Sequence, residues 1–214
     1  MRRVLNIFIC VIISILVVFG CAFEGKAKSQ NLQKDIASKI IRFHVIANSD
    51  LGNDQQLKLK VRDKVLQYIQ PKLKGSKNIY ESRKILLANN DEINKIANDV
   101  VKKNGYNYEV KTMLSHENFP VKTYGNITLP QGRYEAYRII IGSGKGHNWW
   151  CVMFPPLCFV DITKGEVSYE ETEKDMRKVL TDEEYKSIDN KINSTDKSIK
   201  IKFKLLEIIR SRGI

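Results

Sequence analysis

"YEAYRIIIGSGKGHNWWCVMF", residues 134–154, holds two β-rich runs separated by a glycine turn, and its reading decides the fold. Tyr134 to Ile141 is dominated by aromatic and β-branched residues in a run of strand length, and Trp149 to Phe154 has the same character. Gly142, Gly144 and Gly146 interrupt them with residues free to adopt turn conformations. If residues 149–154 form a strand, Trp149 and Trp150 point to opposite faces of the sheet. One then fills the core while the other is free to bind.

Working outward, "YGNIT" before a Pro-Gln-Gly turn at 130–132 predicts a short strand, and "YNYEVKTML" (106–114) alternates apolar and polar residues as a half-buried strand does. "IIRFHVIAN" (40–48) reads as a buried strand. Asn53 with Gln56 predicts a helix over 54–70 closed by Pro71, and Asn78 with Glu81 opens a second over 79–103, ended by Asn104 and Gly105. Thr181 and Glu184 form another capping box, whereas "IKIKFKLLEIIRSR" (199–212) alternates first and then turns helical. The pattern predicts an α+β domain, a mostly antiparallel sheet with flanking helices.

The N-terminus sets the compartment. Arg2 and Arg3 precede an apolar run from Val4 to Phe23, a charged head followed by about 20 apolar residues, enough to cross a bilayer core of about 30 Å. A cleaved signal peptide, a retained anchor and a lipid attachment at Cys21 are all compatible with it, and each exports the remainder. The expected organisation is a signal peptide or membrane anchor over 1–24, a polar spacer over 25–39 and a single exported domain over 40–214.

The chain carries a net charge of +12. Removing residues 1–24 takes away Arg2, Arg3 and Glu24 and leaves 34 basic against 23 acidic side chains, a balance of +11. That excess favours anionic membrane surfaces, wall polymers or an acidic partner. The basic residues are scattered rather than gathered in one arm or stripe, which speaks against nucleic acid.

"GSGKGH" (142–147) lacks both the spacing of a phosphate loop and the helix that a dinucleotide turn must open. The exported part holds two cysteines, Cys151 and Cys158, separated by "VMFPPL" with a Pro-Pro step that would reverse the chain. Three uses compete: a disulfide between them, a pair of reduced core thiols, or a Cys151 nucleophile served by His147, His44 or His116. Asp50 and Asp161 lie at strand ends, where they could form a polar cleft with His44 and His147. No third member of a triad is evident. The three histidines stand singly in their segments, so no metal site is expected and no cofactor is called for.

"IRFHVIANSD" (41–50), "LKLKVRD" (57–63) and above all "FPVKTYGNITLPQGRYEAYRIIIGSGKGHNWWCVMFPPLCFVD" (119–161) resemble the stage II sporulation protein R family of endospore-forming bacteria. The resemblance covers most of the exported domain. It implies a signalling protein rather than a metabolic enzyme. Such a protein is made in the forespore and exported into the space between the two sporulation membranes. There it activates a membrane-embedded aspartic protease that removes the pro-sequence of sigma-E in the mother cell. On this reading Lys145, His147, Trp149 and Trp150 are the candidate partner-binding residues. The alternative is a cell-envelope hydrolase using Cys151 with a histidine.

Overall fold

A computed structural model describes residues 12, 30–157 and 169–191. Its centre is strand β1 (Ile41–Ile46), buried at every residue, as expected of a strand covered on both faces. Around it stand β2 (Val110–Phe119), β5 (Gly132–Ile141) and β6 (Asn148–Phe154), in the order β2-β5-β1-β6. β1 runs parallel to β5 and antiparallel to β6, and β2 runs antiparallel to β5. A separate hairpin, β3 (Lys122–Tyr124) with β4 (Ile127–Leu129), lies in the segment expected as one short strand. The structure is therefore α+β with a mostly antiparallel sheet.

Alternation along the strands divides the interior in two. Phe43, Val45, Tyr137, Ile139 and Cys151 face helices α2 (Gly52–Leu73), α3 (Ile79–Ala88) and α4 (Asn90–Lys103), which contribute Leu57, Val61, Val65, Leu86, Ile93 and Ala97. On the other side Tyr134, Ala136, Val152 and Phe119 meet Ile36, Ile127, Leu129, Met176, Tyr185 and Ile188. Each such fully buried aliphatic side chain contributes roughly 1.5–3 kcal/mol. Helix α5 (Tyr169–Arg177) and helix α6 (Asp182–Ile188) supply the last three of those side chains.

Several boundaries differ from the sequence reading, each for a local reason. The first long helix does not begin at an Asn53 cap: it starts at Gly52 after Leu51, and the side chains of Asn48 and Ser49 bond Asp54 instead. Pro71 does not close it. Proline near a helix end loses one N–H without breaking the ladder beyond it, and the chain continues to the buried Leu73. The helix expected over 79–103 is two, because Asn89 turns its amide to Ile85 O (2.8 Å) and accepts from the Tyr68 hydroxyl (2.7 Å). The strand at 106–114 starts later, at Val110.

Residues 30–39, within the segment read as a polar and weakly helical spacer, form a helix, α1, that places Ile36 at 1 % exposure in the second core. Lys39 at its end donates to both carboxylate oxygens of Glu184 at 2.6 Å. The Thr181–Glu184 capping box is present as expected. Among the described residues no helix is long and apolar enough to cross a membrane. Apart from Ile12, the leader lies outside the described residues, as do Cys158, Asp161 and the 199–212 segment.

Candidate functional site

Parallel pairing of β1 with β5 ends both strands at the same edge, so residues 47–51 and 142–147 lie side by side. Neighbouring loops at the carboxyl ends of parallel strands are where open sheets gather functional groups. Asn48 ties the two together. Its Oδ1 accepts the Ser143 N–H (2.9 Å), and its carbonyl accepts the Ser143 hydroxyl (2.6 Å) and the Lys145 N–H (3.3 Å). Gly146 donates to Ala47 O at 2.9 Å, and a Cβ there would strike the Ser49 carbonyl, so only glycine permits this approach.

Beneath these loops sits Asp54, 3 % exposed, accepting from Asn48 Nδ2 (2.9 Å) and Ser49 Oγ (2.6 Å). Burial works to raise its pKa, but hydrogen bonds from Ser49, Asn48 and Tyr108 outweigh it and hold the carboxyl below the usual range. Lys58 reaches up from α2, donating to Gln55 Oε1 (2.5 Å) and to the His147 carbonyl (2.9 Å). Burial and then the charge of Arg62 depress its pKa, with Asp50 acting in the opposite direction. The glycine turn is thus fixed by a buried acid and a buried base.

At the surface Asp50 accepts the His147 N–H through Oδ1 and bonds the imidazole Nδ1 with the same oxygen. The exposed Lys145 stands two residues away. Sequence reasoning placed Asp50 and His147 in one cleft, and the structure brings them together. It does not bring them to His44 or Cys151, and Asp161 lies outside the described residues. His44 and Cys151 lie on opposite faces of the sheet: Cys151 is opposite Phe43 in the first core, whereas His44 stacks on Trp150 at 4.0 Å beside Phe119 of the second. His147 is four residues from Cys151, roughly 13 Å of extended chain.

The imidazole and the Cys151 sulfur therefore form no nucleophile–base pair in this arrangement. The Cys151 sulfur is buried in the first core, and Cys158, its expected disulfide partner, lies outside the described residues. The nearby hydroxyls are already committed, Ser143 to Asn48 and Ser49 to Asp54. Among the described residues no three His, Cys, Asp or Glu side chains are grouped to hold a metal ion. What the site can do is present a fixed imidazole edge and a lysine to a partner surface.

Trp149 and Trp150 do point to opposite faces, but neither is free. Trp149 meets Phe43 edge-on (5.8 Å) under the Arg62 guanidinium (4.8 Å), and Trp150 packs on His44 and Phe119 (4.7 Å). Both are half-buried, because the two cores claim one ring each. Sequence reasoning missed Arg42, fully buried among Phe119, Tyr134 and Tyr124, with Nε donating to Cys151 O (3.2 Å) and Nη2 to the Tyr124 hydroxyl (3.0 Å). It also missed Asn48, in the polar break before α2, and Asp54 and Lys58 within that helix.

Residues 37–164 match the family described as stage II sporulation protein R. The chain is 37 % identical over 196 residues to the stage II sporulation protein R of Bacillus subtilis (strain 168), covering 90 % of this chain and 88 % of that protein. No solved structure matches. The matched segment runs from α1 through the whole sheet and both loops of the site, and on this agreement the chain belongs to the stage II sporulation protein R family.

Proposed function

We propose that this protein is an exported sporulation signal, made in the forespore, that activates a membrane-embedded aspartic protease processing pro-sigma-E in the mother cell. The observation that carries the reading is the relationship along 90 % of the chain to a stage II sporulation protein R. The N-terminal apolar segment with Arg2 and Arg3 supports export and a hold on the membrane surface. Activation proceeds by contact: the domain binds the outward-facing part of the protease and favours its active arrangement, which requires higher affinity for that state.

The contact centres on the exposed Lys145–His147 turn rather than on the tryptophans, whose rings are occupied in the cores. Lys145→Glu and His147→Ala alter exposed side chains without touching either core. In a sporulating strain carrying a sigma-E reporter, both proteins are expected to accumulate normally while reporter output falls, most in the double variant. Full output from the double variant at normal protein level removes the turn as the contact. Full output from a strain lacking the protein altogether removes the signalling role.

A further inference from the structure

Strand β2 closes one side of the sheet, with β5 on its inner edge and no strand beyond it among the described residues. Its two sets of backbone groups can be assigned. Gly142 N donates to Glu109 O at 2.8 Å, continuing the β2–β5 register in which Val110 faces Ile141, so the odd-numbered residues bond β5 and the even-numbered ones point outward. Asn94 confirms the parity by donating to Val110 O from outside at 2.9 Å. The backbone groups of Thr112, Leu114, His116 and Asn118 then face away from the sheet, with no hydrogen bond to another described element. A long, unpaired edge of this kind templates another strand unless something blocks it.

We propose that this edge pairs with β2 of a second copy, antiparallel about a twofold axis at Leu114, joining the two sheets into one. The sequence around that point is self-complementary. With Leu114 opposite Leu114, Lys111 falls opposite Glu117 and Glu117 opposite Lys111, while Thr112 meets His116. Shifting the axis to residue 113 puts Glu109 against Glu117, and shifting it to 115 leaves Lys111 against Phe119. Only the Leu114 axis pairs opposite charges, and like charges directly opposite are unfavourable.

The parity agrees with the charges. Thr112, Leu114 and His116 are outward residues and exchange hydrogen bonds across the axis, about six in all at two for each pair. Lys111 and Glu117 fall at the non-bonded positions, where opposing Cα atoms approach to about 4.5 Å and side chains meet closely. Both are available: the Lys111 side chain is 59 % exposed, 3.4 Å from Glu109, and Glu117 is 32 % exposed while accepting Arg138 at 2.7 Å. A closed twofold contact uses the edge on both copies and leaves none to propagate. It also leaves the Lys145–His147 turn uncovered, and it stands whether or not the signalling role does.

The test is cross-linking and amide exchange on the exported domain. Leu114→Cys places a thiol on the axis of its own partner; under mild oxidation it is expected to give a disulfide-linked dimer, where an Asn107→Cys control and the wild type give no covalent dimer. In the wild type the amides of Thr112, Leu114 and His116 are expected to gain protection as concentration rises between about 1 µM and 1 mM, the range of a short strand contact. The odd-numbered amides stay protected throughout. Lys111→Glu sets like charges opposite at both ends and is expected to weaken dimerisation about tenfold. A domain that remains monomeric across that range, with Leu114→Cys uncoupled, overturns the proposal. Concentration-independent protection of the even amides overturns it too, by assigning the edge to the chain's own C-terminal segment.

Discussion

His44 makes stability depend on pH in a window where most side chains are silent. It is 5 % exposed, stacked on Trp150 and edge-on to Phe119, and neither ring nitrogen reaches hydrogen-bond geometry with a partner. Burial depresses its pKa to about 4, aided by the charges of Arg138 and Arg42 and opposed by the nearby Asn148 side chain and Glu117. In the unfolded chain it titrates at the ordinary 6.5. The folded form holds the ring neutral and the unfolded form protonates first, so stability is complete above pH 6.5 and declines as pH falls towards 4. With these two values the loss is about 1.4 kcal/mol by roughly pH 5.5 and about 3 kcal/mol by roughly pH 4.

His44→Phe keeps a ring against Trp150 and removes the titration. Urea unfolding of the wild type and the variant at intervals from pH 7.5 to 4.5 is the measurement. The carboxylates held low by their partners, Asp54 and Glu184, also lose stability as pH falls, but in both proteins alike. The expected result is a difference between the two curves that is flat above pH 7 and then narrows or reverses in favour of phenylalanine. Parallel curves down to pH 5 refute the reasoning, whatever the offset at neutral pH.

Arg42 has no carboxylate partner among the described residues, and its Nη1 makes no hydrogen bond, so the fold bears the desolvation of that charge. Arg42→Ala is expected to cost at least about 2 kcal/mol in urea unfolding, and Arg42→Met to recover most of that; a methionine as damaging as the alanine would assign the stability to the aromatic contacts instead. Asp54→Ala strands the Asn48 amide and the Ser49 hydroxyl, with a loss of about 1–3 kcal/mol and faster amide exchange at Ser143 and Gly146. Thr181→Ala removes the cap on α6 and is expected to cost about 1 kcal/mol.

Where structure depends on neighbours in sequence, the residues announced it. The apolar run read as a strand over 40–48, the alternation that sends Trp149 and Trp150 to different faces and the Thr181–Glu184 capping box are all patterns written within a few positions, even though β1 itself pairs with distant strands. What escaped depends on partners far along the chain. Asn89 splits a helix because Tyr68 supplies a hydroxyl from 21 residues away, and Asn48 is structural because Ser143 returns to it across 95. A break such as "ANSD" looks like any polar turn until the second loop is beside it. Arg42, a charged residue in a strand otherwise apolar but for His44, was a departure from pattern that the sequence displays.

The same distinction explains why "GKGHNWWCVMF" misleads as a catalytic motif. Its residues lie close together in sequence, but a strand sends neighbours apart. Trp149 and Cys151 go to the helices, and Trp150 goes to His44. His147, before the strand, turns to Asp50. Density of reactive side chains in a short extended segment therefore argues against a shared site, since a nucleophile and its base must converge within about 3 Å. What the segment does share is attachment: each of these side chains fastens β6 or its turn to a different part of the molecule. The exposed tip at Lys145 and His147 is thereby tethered, through Lys58 to the His147 carbonyl and through the His147 N–H to Asp50, a preorganisation that would favour the proposed contact.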